Sequence, residues 1–139
     1  MAGTTTTSSA AVVRQFLTLL ETGQAAAAVG LLTEDVEWRN TSMPTFRGRR
    51  VGAMLLDMER RGIGFRVDLH HVAADGEIVL TERTDHLSKG RWVSSFWVCG
   101  TFRVVDGRIA LWDDHFSMGN VLVASLRGLG GFLGGFLVR

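Results

Sequence analysis

Residues 65–116 alternate side-chain character almost without a break, and three turn signals interrupt the alternation. Phe65, Val67, Leu69 and His71 alternate with Arg66, Asp68 and His70. A period of two sends successive side chains to opposite faces of a strand. Asp75-Gly76 and Asp106-Gly107 are hairpin signals, and Ser88-Lys89-Gly90-Arg91 is a third turn. The stretch therefore predicts a meander of four antiparallel strands. The third, Trp92 to Val105, is long: Phe96, Val98, Phe102 and Val104 share one face, and Trp97, Cys99 and Thr101 the other.

Upstream the period changes to that of a helix. Val13, Phe16, Leu17 and Leu20 predict a helix over 10–22, with Ser8 or Ser9 to cap it and Gly23 to end it. Ala25 to Leu32 reads as a second helix, with Ala28, Leu31 and Leu32 on one side. Val36 to Asn40 reads as a strand, with Val36, Trp38 and Asn40 on one face and Glu37 and Arg39 on the other. Residues 41–46, with Pro44, read as loop; Val51, Met54, Leu55 and Met58 predict a helix over 49–61. Val121 to Leu126 reads as helix, followed by an apolar, Gly-rich tail over 128–139. The tail's Gly-x-x-x-Gly spacing has meaning in a membrane span of ~20 residues, and the run is shorter than that. It is expected to pack over a pocket mouth or a partner subunit.

Helices, a strand, a helix and a meander make an α+β chain. The expected form is a strongly curved, mixed, mainly antiparallel sheet wrapped around the N-terminal helices, a cone with an internal pocket. The 139 residues suffice for one core. Residues 10–139 are read as a single domain and the polar residues 1–9 as a disordered segment. That segment has neither the basic nor the apolar region of a secretory signal, and no apolar run reaches membrane-span length. A net charge of +1 without a basic stripe argues against nucleic acid as a partner. Cys99 is the one cysteine, in an apolar strand pattern, so it is read as core, in a reduced, cytoplasmic setting.

Three polar groups fall on faces expected to point inward. Arg83 and Asp85 share a strand face with Val79, Thr81 and Leu87. Asn40 shares its face with Val36 and Trp38. Asp114 lies between Trp112 and Phe116, while Leu111, Asp113 and His115 face the other way. Burying charge is costly unless it is paired, so an inward ion pair is a candidate for chemistry. The competing reading is a solvated pair on an outer face. Two carboxylates near one arginine suit acid–base work, because like charges brought close push one pKa up and leave one group able to give a proton while the other takes one.

The pattern of Leu80-Thr81-Glu82-Arg83-Thr84-Asp85, Phe96-Trp97-Val98-Cys99-Gly100, Asp106-Gly107-Arg108-Ile109 and Leu111-Trp112-Asp113-Asp114 resembles the limonene-1,2-epoxide hydrolases and their mycobacterial relatives, over about residues 11–127. The resemblance implies the cone fold of the nuclear-transport-factor-like and SnoaL-like proteins, a homodimer, and cofactor-free, metal-free addition of water to a small hydrophobic epoxide. It implies that Asp85 protonates the epoxide oxygen, Asp114 takes a proton from water, Arg83 bridges the two, and Asn40 orients the water. Where the family has a tyrosine on the first strand this chain has Trp38, and the chain contains no tyrosine. An indole N–H donates a hydrogen bond but cannot accept one. The expected pocket lining is Met54, Val67, Leu69, Phe96, Val98, Trp112 and Phe116.

Other chemistries fit less well. His70 and His71 face opposite ways on a strand, a poor metal pair. Gly48-Arg49-Arg50 lacks the Lys-Ser/Thr of a phosphate loop. A steroid isomerase would call for an oxyanion donor such as tyrosine. Two alternatives stay open: an epoxide-opening cyclase in which a substrate hydroxyl replaces water, and a hydrophobic-ligand-binding module without catalysis.

Overall fold

The computed structural model of the protein describes residues 8–137, without the side chains of residues 118 and 129–137. Residues 1–7, most of the segment read as disordered, lie outside the described residues, as does the side-chain packing of the tail. Three helices, α1 (Ser9–Glu21), α2 (Ala25–Val29) and α3 (Arg49–Arg60), join six strands: β1 (Leu32–Asn40), β2 (Phe46–Arg47), β3 (Gly64–Asp75), β4 (Ile78–Lys89), β5 (Trp92–Val105) and β6 (Arg108–His115). Helix α4 (Met118–Leu137) follows. The strands form one sheet in the order β2-β1-β6-β5-β4-β3. β3 to β6 are the antiparallel meander, and β1 adds to β6 in parallel. The sheet curls around the helices without closing, the α+β cone expected from the sequence.

Helix α1 begins where Ser8 accepts a hydrogen bond from the Ala11 N–H at 3.1 Å. It buries Val12, Val13, Phe16 and Leu17. These meet Val36, Val51, Leu55, Val79, Phe102, Ile109 and Trp112 in one core. Phe16 sets its edge on Trp112, with ring centroids 5.1 Å apart. Such edge-to-face contacts add about 0.5–1.5 kcal/mol to the burial itself.

Four local readings are corrected. Helix α2 stops at Val29; Leu31 lies in the turn that follows and Leu32 opens β1, so neither is on a helix face. The Leu31 carbonyl accepts from the Ile109 N–H at 2.7 Å, so pairing with β6 outcompetes another helical turn. The loop over 41–46 ends in strand β2, where Phe46 pairs with Trp38 and Arg47 with Glu37. His70 and His71 do not face opposite ways: a bulge between Leu69 and His71 leaves both exposed and returns Val72 toward the core. Cys99 is exposed on the outer face of β5, not in the core.

The C-terminal helix is longer than the pattern predicts, running through the Gly-rich stretch to Leu137. It packs along β5. Gly128 lies directly against the Val93 carbonyl, where any Cβ would collide. Trp92 Nε1 donates to the Ser125 carbonyl at 3.3 Å. Among the described residues no helix is long and apolar enough to cross a membrane.

Candidate active site

The floor of the cone carries a buried three-residue cluster. Arg83 is fully buried, and Asp85 and Asp114 are each 5% exposed. Arg83 Nε donates to Asp85 Oδ1 at 2.8 Å and Nη2 to Asp85 Oδ2 at 3.1 Å. The same Nη2 donates to Asp114 Oδ2 at 2.6 Å. Nη1 donates to Thr81 Oγ1 at 3.1 Å, and that hydroxyl donates to the Gly100 carbonyl at 3.3 Å. The guanidinium also stands 5.8 Å from the Phe102 ring centroid. The ion pair thus lies on the inner face, and the solvated reading does not hold.

Strand register accounts for the convergence. Thr81 pairs with Gly100 and Gly100 with Asp114, so three adjacent strands present one level of the inner face. The middle member has no side chain. A Cβ on Gly100 would stand 2.5 Å from Arg83 Nη1 and 2.8 Å from both Asp114 Oδ1 and Thr81 Oγ1. The guanidinium fits because that position is empty. Neither Gly100 nor Thr81 was singled out from the sequence. The available signal was a lone glycine inside a strand, which often marks close approach of another group.

On the other side of β6, the parallel pairing sets Asn40 beside Asp114 and Trp38 beside Trp112. The two indoles stack at 4.3 Å between centroids and 11° between planes. Both indole N–H groups are buried without a hydrogen-bond partner, and so is Asp114 Oδ1. Thr41, which was read only as loop, pins the end of β1: its N–H donates to the Asp114 carbonyl at 3.2 Å, and its hydroxyl accepts from the Phe116 N–H at 3.1 Å.

Burial pushes the Asp114 carboxyl up to about 6, against the pull of the Arg83 charge; the nearby Asp85 charge adds to the rise. For Arg83, burial opposes the charge, but Asp114 and Asp85 more than offset it and hold the guanidinium protonated.

Above the cluster is a cavity of about 470 Å³, a size typical of small-molecule sites. Asp85, Asp114, Asn40 and Trp38 line it, as do Met54, Phe96, Trp112 and Phe116. Val67, Leu69 and Val98, expected in the lining, do not reach it. Val67 and Leu69 pack against the core beneath, and Val98 is buried within the sheet. Ser94 and Ser125 line the cavity and were not anticipated.

Known proteins resemble this chain in sequence and in fold. Residues 7–127 match the limonene-1,2-epoxide hydrolase catalytic domain. The chain is 41% identical over 117 residues to the epoxide hydrolase EphG of Mycobacterium tuberculosis, covering 84% of this chain and 78% of that protein. It superposes on the structure of a limonene-epoxide-hydrolase-like epoxide hydrolase from M. tuberculosis with a TM-score of 0.86 and 38% identity, over 91% of this chain and 96% of that one. An NTF2-like protein of unknown function from Cytophaga hutchinsonii matches at a TM-score of 0.70 and 17% identity, over 86% of this chain and 99% of that one, a likeness of fold alone.

Proposed function

The chain belongs to the limonene-1,2-epoxide hydrolase family, and from that premise we propose that it adds water to a small hydrophobic epoxide to give a vicinal diol, in one step and without a cofactor. The observation that carries the reading is one arginine nitrogen bonded to two carboxylates at the floor of an apolar cavity. A site that needs to push and pull a proton at once requires two acids of unequal protonation held in fixed relation, which this bridge supplies.

In the active form the two carboxylates hold one proton between them. With the Arg83 charge, the cluster is then neutral, which suits its burial. Asp85 carries the proton and gives it to the oxirane oxygen as that C–O bond breaks. Asp114 is ionised and takes a proton from water as the water oxygen bonds to the same carbon. One proton has then moved from Asp85 to Asp114, and its return restores the site. Asn40, set beside Asp114 by register, is assigned the water. Trp38 lines the same cavity, and its unpartnered indole N–H is assigned as a second donor to that water.

A homodimer is part of the same reading. The outer sheet face exposes Ile78, Leu80, Val93 and Trp97, apolar side chains spread along β4 and β5 that a second copy would cover.

The test is a panel of cyclic terpene, aryl and steroid epoxides in isotopically labelled water, assayed for diol. Diol carrying one labelled oxygen is the expected product. Ring opening without label incorporation would make a substrate hydroxyl the nucleophile and the protein a cyclase. Tight binding of the panel without opening would make it a binding module.

A further inference from the structure

Ser94 is the one buried polar side chain among the described residues outside the Arg83 cluster and its Thr81 partner. It is 1% exposed and lies in the wall of an otherwise largely apolar cavity. Its Oγ is 3.1 Å from Ser125 Oγ, on helix α4, which lines the same cavity. Each hydroxyl has one proton to donate and two lone pairs. Their mutual bond uses one proton of the two, whichever residue donates. No acceptor among the described residues takes the other.

A polar pair is not needed to hold α4 in place. The Trp92 indole on the Ser125 carbonyl and the contact of Gly128 with Val93 already fasten the helix to β5. Alanine at either position would leave those contacts intact and cost less in desolvation. What the hydroxyls add is hydrogen-bonding capacity in the otherwise largely apolar wall of the cavity.

We propose that Ser94 and Ser125 form a hydroxyl subsite that selects epoxides carrying an alcohol or carbonyl oxygen away from the oxirane. Register gives the separation. Asp85 pairs with Phe96 and Leu87 with Ser94, so Ser94 lies two residues along β5 from the level of the proton donor. Two strand residues span about 7 Å. The preferred substrate is a carbocyclic epoxide with an oxygen substituent at about that distance, bonded to the free hydroxyl proton of the pair. This rests on the epoxide-hydrolase reading above.

The experiment compares limonene 1,2-epoxide with its analogue bearing a hydroxyl on the isopropenyl group. The readout is the ratio of the two kcat/KM values, for the full chain and for its Ser94→Ala and Ser125→Ala variants. One neutral hydrogen bond predicts that either variant lowers the preference for the hydroxylated epoxide about 5-fold. A pair that only braces α4 would change both substrates together, and an unchanged ratio in both variants overturns the proposal. If the unmodified protein opens neither epoxide, the hydrolase reading fails. The subsite is then read from tryptophan-fluorescence Kd values for the two corresponding diols. The same loss of preference in the variants supports it, and equal preference overturns it.

Discussion

Four hydrogen bonds hold Arg83, and each of its two acidic partners is tied to the same nitrogen. Groups bridged this closely are expected to act as a unit. Asp85→Asn and Asp114→Asn should each lower kcat by about 10²- to 10⁴-fold. The double variant should be little worse than either single one. Steady-state kinetics on all three decide this; additive losses would mean that the two residues serve separate steps. The pH profile tests the assignment of the base. Asp114 must be ionised to take a proton from water, and its carboxyl is raised to about 6. kcat/KM should therefore rise as pH increases through about 6. The corresponding rise in kcat should lie at higher pH, because an apolar ligand excludes water and disfavours the charged form. A kcat/KM that instead falls through about pH 6 would mean that Asp114 is needed protonated and is not the base. Trp38→Tyr adds a group that can accept from water as well as donate to it, worth about 1–3 kcal/mol or about 5- to 150-fold in hydrolysis rate. It also leaves a void against Trp112, so Tm should drop. Trp38→Phe is the control: equal rates for Tyr and Phe would reduce Trp38 to a steric wall.

At the scale of the strand, β5 is organised around an absence. Gly100 stands between Thr81 and Asp114 on the inner face, and the guanidinium occupies the room its side chain would take. Gly100→Ala forces the Arg83 terminus and Asp114 to move by several tenths of an ångström. Overpacking of this kind costs about 1–3 kcal/mol. Misplacement of a catalytic group by about 1 Å costs about 10²-fold in rate. We expect a rate loss near that size with a folded protein of lower Tm, measured by kinetics and thermal unfolding together. Full activity would show that the cluster tolerates displacement. The strand's alternation was legible in sequence, and with it the shared face of Arg83 and Asp85; that this face turns inward, against a solvated pair, came from the packed sheet. The meaning of Gly100 was not legible either, because a glycine in a strand says that something approaches without saying what.

For the whole molecule, Asp114 works against stability at neutral pH. Its carboxyl is raised in the folded chain, so the folded state binds more protons than the unfolded state between about pH 4 and 6. Stability from this group is fully present below pH 4 and lost as pH rises through about 6. Two pKa units correspond to about 3 kcal/mol. The exposed carboxylates Glu37, Asp57, Asp68 and Glu82 are lowered by their Arg and His partners and act in the opposite direction. The total curve therefore mixes both trends, and a difference isolates one. Asp114→Asn should be close to the parent in Tm at pH 4–5 and more stable at pH 8, while losing turnover. A gap that does not widen with pH would mean that Asp114 is ionised without strain.

The one-dimensional pattern determined the α+β class, the meander, the grouping of residues on each strand face and the residue types of the cluster, because a period of two assigns faces wherever the chain is a strand. It could not determine register. Only the packed sheet set Asn40 beside Asp114 and Trp38 on Trp112, since parallel pairing of β1 with β6 joins segments some seventy residues apart. The bulge that turned His71 outward, the exposure of Cys99 and the retreat of Val67, Leu69 and Val98 from the cavity follow from the same cause. Local alternation says which side a residue takes, but the curl of the sheet and the path of α4 decide what that side faces.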